Sequence, residues 1–204
     1  MSQNYKQNVL TQDKWLTELE VKKLLKQPDK RYLLGMRDFA ILKIFLNCGL
    51  RKAELINLDV KDYHKEGIST WLSVHSKGGY VMDQPINDFS TNSAIKKYLK
   101  SGKHGDDPNA PLFQSLQGKG ILSGQRTHRI VIEYLTNKYA IQAGIKKHVH
   151  AHMLRHTFGT HFFNATKDLV TTQKAMRHKS GNSTMIYLHS DKTQVLKGLK
   201  ELNL

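Results

Sequence analysis

Apolar positions along this 204-residue chain follow a helical period at both ends and a period of two in between. The first 14 residues are polar and read as an arm or the end of a linker. Thr17-Glu18-Leu19-Glu20 then forms a capping box, with Leu16 and Val21 at the hydrophobic-staple positions. This predicts a helix that runs to about residue 27 and stops at Pro28. Phe39, Leu42, Ile44, Phe45 and Leu46 give a broad apolar face, which predicts a second helix over 35–47. Gly49 suits the left-handed position that ends such a helix. A third, short helix follows at once, over 51–56.

The period then changes. Residues 68–74 and 80–86 read as two strands joined across Ser76-Lys77-Gly78-Gly79, a hairpin with a glycine turn. Helical spacing resumes over 93–99, and the Gly-, Pro-, Asp- and Ser-rich stretch 101–125 reads as mostly loop. A long helix is expected over 126–143, closed by Gly144, with helical segments at about 151–163, 168–177 and 182–188. Val195, Leu196, Leu199 and Leu202 mark a last amphipathic helix. No internal repeat or low-complexity tract is present. The fold class expected is mainly α with a small antiparallel β-hairpin or sheet.

Composition narrows the partners. With 39% hydrophobic and 24% charged residues, the chain has the balance of an ordinary globular domain. Its charge is not ordinary: 32 Lys and Arg against 17 Asp and Glu give a formal net charge of +15. Such an excess favours a polyanion, most simply nucleic acid, although a merely basic soluble protein has the same sum. Cys48 is the only cysteine, so no intramolecular disulfide or cysteine-rich zinc site can form, and its apolar surroundings suit a buried thiol. The N-terminus lacks the apolar core of a signal peptide, and no apolar run approaches the ~20 residues that span a bilayer. A cytoplasmic, nucleoid-associated protein is expected.

Candidate chemistry concentrates near the C-terminus. Ala151 to Thr160 reads Ala-His-Met-Leu-Arg-His-Thr-Phe-Gly-Thr and places His152 and Arg155 on one helical face. His178 and Tyr187 follow within the next few turns. Upstream, Arg51 opens a helix whose free N–H groups and guanidinium together suit a phosphate, and Glu54 either orients Arg51 or solvates the helix. Lys77 sits at a hairpin tip, either as an ordinary turn lysine or as a cation that reaches a DNA backbone. His148, His150, His152, His156 and His161 invite a metal reading, since His152 and His156 have the i,i+4 spacing of a zinc helix. No glutamate follows His152, however, and Arg155 would repel a divalent ion. Tyr187 is one of eight tyrosines, and a phenol of pKa ~10 needs neighbouring cations to attack anything at neutral pH.

In order, Cys48-Gly49-Leu50-Arg51-Lys52-Ala53-Glu54-Leu55, Ser76-Lys77-Gly78, His152-Met153-Leu154-Arg155-His156-Thr157-Phe158, Arg177-His178-Lys179-Ser180 and Met185-Ile186-Tyr187-Leu188-His189 resemble the catalytic domain of the tyrosine recombinase (phage integrase-type) family. Leu16-Thr17-Glu18-Leu19-Glu20 and Pro111-Leu112-Phe113 are similar to it as well. The resemblance runs from about residue 15 to the C-terminus. It implies the DNA breaking–rejoining enzyme fold and site-specific recombination of double-stranded DNA without metal, ATP or any other cofactor. By that resemblance Arg51 and Arg155 clamp the scissile phosphate, Lys77 protonates the 5′-oxygen, and His152 assists proton transfer at the nucleophile. His178 hydrogen-bonds the phosphate, and Tyr187 attacks to form a 3′-phosphotyrosyl intermediate. Partners implied are DNA, other copies of the chain in a tetramer, and accessory DNA-bending proteins. The domain division expected is 1–14 arm, 15–190 catalytic domain and 191–204 C-terminal helix, exchanged between subunits or docked on its own domain.

The chain departs from the family pattern in three places. After Lys77 the family continues with basic residues and then Val-Pro-Leu, whereas this chain reads Gly79-Tyr80-Val81-Met82-Asp83-Gln84-Pro85-Ile86. Arg177 replaces the usual glycine before His178, adding charge and altering a turn. There is room for only a stub of a helical N-terminal domain, which fits either a catalytic fragment or a short recombinase. Three other functions compete. A type IB topoisomerase relaxes DNA by the same tyrosine chemistry, a silent protein of this fold binds DNA without cutting it, and a metal-dependent nuclease needs clustered carboxylates.

Overall fold

The most apolar helix lies at the centre. The computed structural model describes residues 14–76, 79–118 and 120–177, with helices α1 (Glu18–Leu25), α2 (Leu33–Cys48), α3 (Lys52–Asn57), α4 (Phe89–Gly102), α5 (Arg129–Gln142), α6 (Ala151–Thr166) and α7 (Leu169–Ala175). Strands β1 (Tyr63–Glu66), β2 (Ser69–His75) and β3 (Val81–Pro85) form one antiparallel sheet in that order, and β4 (Gln114–Gln117) pairs with β5 (Ile121–Arg126). Helix α2 buries Ala40, Ile41, Leu42, Ile44, Phe45 and Leu46 around its circumference, with α4 and α6 packed against it. Its charged residues are buried too, and each is paired. Arg37 donates to Asp38 (2.7 Å) and to the Gln114 carbonyl (3.1 Å), the Tyr139 hydroxyl donates to Asp38 (2.9 Å), and Lys43 pairs with Asp88 (2.8 Å).

The capping box of α1 forms as its sequence predicts, Thr17 N–H donating to Glu20 Oε2 (2.7 Å) and Glu20 N–H to Thr17 Oγ1 (3.2 Å). Glu20 also accepts from Lys147 Nζ (2.9 Å), and Leu16 N–H donates to Thr157 Oγ1 (2.9 Å). The N-terminal segment is thereby tied to α6 and to the loop before it. Residues 182–188 and the expected final helix lie outside the described residues.

Two segments differ from expectation. The hairpin gains a third strand, β1, registered Tyr63 opposite Leu72, while β2 and β3 pair Leu72 with Gln84. In β2, Thr70, Leu72 and Val74 face inward, the alternation that made it legible. The stretch 101–125, read as mostly loop, holds nearly all of the β4–β5 hairpin, whose short, half-buried β4 and largely exposed β5 carry no apolar alternation. It is held by side-chain bonds instead: Gln114 Oε1 accepts from Gly124 N–H (3.0 Å), and Arg126 donates to the Leu58 carbonyl (3.1 Å) and to Asp59 (2.5 Å).

Candidate active site

One glycine builds the corner on which the site stands. Gly49 closes α2 with φ +59° and ψ +35°, and a Cβ there would lie 2.2 Å from the ring of Phe158 on α6. Only glycine satisfies both conditions. The close approach brings the start of α3, with Arg51, against the face of α6 that carries Arg155.

Glu54 joins the two arginines. It is buried on the first turn of α3. Its Oε1 accepts from Arg51 Nη1 (2.6 Å), and its Oε2 accepts from the Arg51 backbone N–H (2.7 Å). Arg155 Nη1 stands 3.8 Å from the same Oε2. Burial pushes the Glu54 carboxyl up, but the Arg51 N–H, the Arg177 charge and the Arg51 guanidinium outweigh it, and the net shift is downward. Of the two sequence readings of Glu54, orientation of Arg51 is the one observed. The Arg51 N–H, expected to be free for phosphate, is taken by this carboxylate.

The two arginines stand in different environments. The Arg51 side chain is 43% exposed, whereas that of Arg155 is 3% exposed. Arg155 Nη1 donates to the Gly49 carbonyl (2.5 Å) and Nη2 to the Met176 carbonyl. It therefore fixes both the α2–α3 corner and the turn that leads toward His178. His152 lies on α6 one turn before Arg155, at the surface. Burial first, then the charges of Arg155, His150 and Arg51, lower its pKa below the ordinary imidazole value, so it is neutral at pH 7. Its Nε2 is 2.9 Å from His156 Nε2, so one ring carries the shared proton and the other accepts it. The residues that suggested a zinc helix thus bond to each other.

Arg177 is the residue whose importance the sequence reading did not capture. It is 5% exposed and left-handed (φ +52°), as suits the glycine expected at that position. Its Nη2 donates to Glu54 Oε2 (3.2 Å) and to the Gly49 carbonyl (3.1 Å), and its Nη1 donates to Gln84 Oε1 on β3. Its own carbonyl accepts from Arg51 Nη2 (3.3 Å). Burial lowers its pKa and Glu54 partly restores it, and an arginine so placed stays charged. The replacement of glycine was one available signal, and Gln84, within the departure that follows Lys77, was the other; what neither showed is that the two meet. Cys48, beside this cluster, is buried and its thiol is pushed up to about 12 by desolvation, so it is inert. The structure thus brings Arg51, His152 and Arg155 together. Lys77, His178 and Tyr187 lie outside the described residues.

A helical body that gathers three arginines, Arg51, Arg155 and Arg177, around one buried carboxylate, with a histidine a turn away, is suited to holding an anion such as a phosphate, and comparison with known proteins places it. The model of the phage integrase family matches residues 14–194, and the chain belongs to that family. It is 30% identical over 184 residues to tyrosine recombinase XerC of Bacillus subtilis (strain 168), covering 88% of this chain and 58% of that protein. To XerC of Thermodesulfovibrio yellowstonii it is 33% identical, over 87% of the chain and 58% of the relative. Among solved structures, the XerH site-specific recombinase bound to palindromic difH substrate, a post-cleavage complex, superposes with a TM-score of 0.75 at 25% identity over 91% of this chain and 52% of that one. The XerA recombinase superposes with a TM-score of 0.71 at 24% identity over 93% of this chain and 65% of that one. The fold is that of the tyrosine recombinase catalytic domain, as expected. The chain spans under three-fifths of the length of those two XerC relatives.

Proposed function

We propose that this chain is the DNA-cleaving and DNA-rejoining part of a site-specific recombinase, acting through a 3′-phosphotyrosyl intermediate. The observation that carries the reading is the convergence of Arg51 and Arg155 on Glu54, with neutral His152 a turn away. Two guanidinia held in advance suit a phosphate whose charge grows in a pentacoordinate transition state. The Tyr187 oxygen attacks phosphorus as the bond from phosphorus to the 5′-oxygen breaks. The phenolic proton leaves by way of His152, Lys77 delivers a proton to the 5′-oxygen, and His178 donates to the phosphate. Attack by a 5′-hydroxyl of a second strand reverses every step, so the phosphodiester energy is conserved and no metal or nucleotide is consumed.

The net charge of +15 favours the DNA backbone as partner. Residues 15–190 form the catalytic unit in this reading, 1–14 an arm, and 191–204 a helix that packs on a neighbouring copy in a tetramer on DNA. Accessory bending proteins shape the DNA sites, and the protein works in the cytoplasm at the nucleoid. Among the described residues no helix is long and apolar enough to cross a membrane.

The test is covalent capture. The protein is incubated without divalent ions with nicked suicide duplexes randomised around the nick, and denaturing gels are read for a protein–DNA adduct. Wild type is expected to form one and Tyr187→Phe to bind DNA without forming it. No adduct from wild type leaves a silent DNA-binding protein, and an adduct that survives in Tyr187→Phe places the nucleophile elsewhere. Supercoil relaxation without strand exchange favours a topoisomerase, and cleavage only with a divalent ion favours a nuclease.

A further inference from the structure

The guanidinium of Arg177 is buried where four parts of the chain meet. Its acceptors are the Cys48 and Gly49 carbonyls at the end of α2, Glu54 on α3, Gln84 on β3 and the Ala175 carbonyl at the end of α7. Gln84 and Arg177, 93 residues apart, are two places where the chain departs from the family pattern, and they bond to each other. A glutamine carbonyl buried where an apolar residue is usual requires a donor, and Arg177 is that donor. The backbone of Arg177 is held at φ +52°, which an L side chain rarely adopts, so its side-chain bonds outweigh a local backbone strain. β3 is the return strand of the hairpin whose sequence contains Lys77, and Glu54 is the carboxylate that orients Arg51.

We propose that Arg177 is a positioning residue that braces the β2–β3 hairpin, through Gln84, against the Arg51–Glu54 end of the active site. This rests on the recombinase reading and refines it. In the recombinase reading the turn of this hairpin supplies the proton to the leaving 5′-oxygen, and a braced return strand β3 would set the hairpin relative to the phosphate held by Arg51. Without the brace the phosphate is still bound, but protonation of the leaving group becomes slow. A leaving group that needs no proton removes the requirement, and a 5′-bridging sulfur is one, since a thiolate departs unprotonated.

The experiment uses the full chain and the nicked duplex sequence selected by covalent capture, with oxygen or sulfur at the 5′-bridging position. Arg177→Gly, which also relieves the backbone, is expected to form adduct roughly tenfold or more slowly on the oxygen duplex, the scale of effect that misplacement of a reacting group produces. On the sulfur duplex it is expected to approach wild type. Lys77→Ala is the reference and is expected to behave likewise. A purely structural defect slows both duplexes equally. Equal slowing of Arg177→Gly while Lys77→Ala is rescued overturns the proposal, as does a wild-type rate on the oxygen duplex. If sulfur does not rescue Lys77→Ala, the role of Lys77 in the recombinase reading falls instead. The brace is then decided by a thermal-unfolding cycle of Gln84→Val, Arg177→Gly and the double variant. Losses that are smaller together than their sum support it, and additive losses overturn it.

Discussion

Arg51 and Arg155 carry the same guanidinium in opposite settings, and this separates what each variant should do. Arg51 is partly exposed, and its bonds go to Glu54 and to the Arg177 carbonyl. Arg51→Ala is therefore expected to leave thermal stability nearly unchanged and to slow adduct formation by roughly 10²–10³, the loss seen when one donor to a developing oxyanion is removed. DNA affinity, measured by gel shift, should fall far less. Arg155 is buried and holds the Gly49 and Met176 carbonyls. Arg155→Ala is expected to abolish adduct formation and also to cost roughly 3 kcal/mol in denaturant unfolding, because the acceptors it leaves are buried. Equal stability of the two variants would sink this distinction. His152 gives a pH signature. Its folded pKa lies below its unfolded value, so the unfolded chain binds the proton more readily and stability rises with pH across that window. The protein should lose stability as pH falls from 7 through the region below ~6.5, the ordinary imidazole pKa. His152→Gln should flatten that slope.

At the scale of elements, the contact between the α2–α3 corner and α6 assembles the site. Gly49 is left-handed and lies against Phe158, so a methyl group there meets both a backbone penalty and a ring. Gly49→Ala is expected to cost roughly 2–4 kcal/mol of stability, the sum of an unfavourable φ and an overpacked contact. Because the same corner carries the Gly49 carbonyl to which Arg155 and Arg177 donate, adduct formation should fall even where the variant is fully folded. A folded variant with wild-type adduct yield would show that the corner is only a packing feature. The small sheet acts in a related way. Its third strand, β1, follows directly from α3 through the turn Val60–Asp62 and couples the helix of Arg51 to the hairpin from the other side.

For the whole molecule the governing quantity is charge. In the proposed function the partner is duplex DNA, and a net +15 spread over 204 residues would make its binding a matter of counterion release. The logarithm of affinity for duplex DNA should fall linearly with the logarithm of salt concentration, with a slope of about −4 or steeper if roughly five phosphates are neutralised. A flat salt profile would exclude the backbone as the main partner. Arg177→Gly removes a cation that is already paired internally, so its slope should match wild type.

Much of this architecture is legible in the sequence, because it depends on local rules. The capping box at Thr17, the glycine stop at Gly49, the alternation in β2 and the His152–Arg155 spacing each need only a few neighbouring residues to act. That Arg51 and Arg155 belong to one site was not local in this sense, and came only from the resemblance of their two segments to the family. The β4–β5 hairpin was not legible, since polar strands stabilised by Gln114 and Arg126 leave no period in the sequence. Nor could the sequence tell whether Glu54 faces solvent or Arg51, or that Arg155 is buried while Arg51 is partly exposed. Arg177 shows the boundary most sharply. The sequence by itself determined that an arginine stands in a turn where glycine is usual. Only the tertiary structure decided what it does, because its partners at Cys48, Glu54 and Gln84 come within bonding distance only when the helices close around the corner at Gly49.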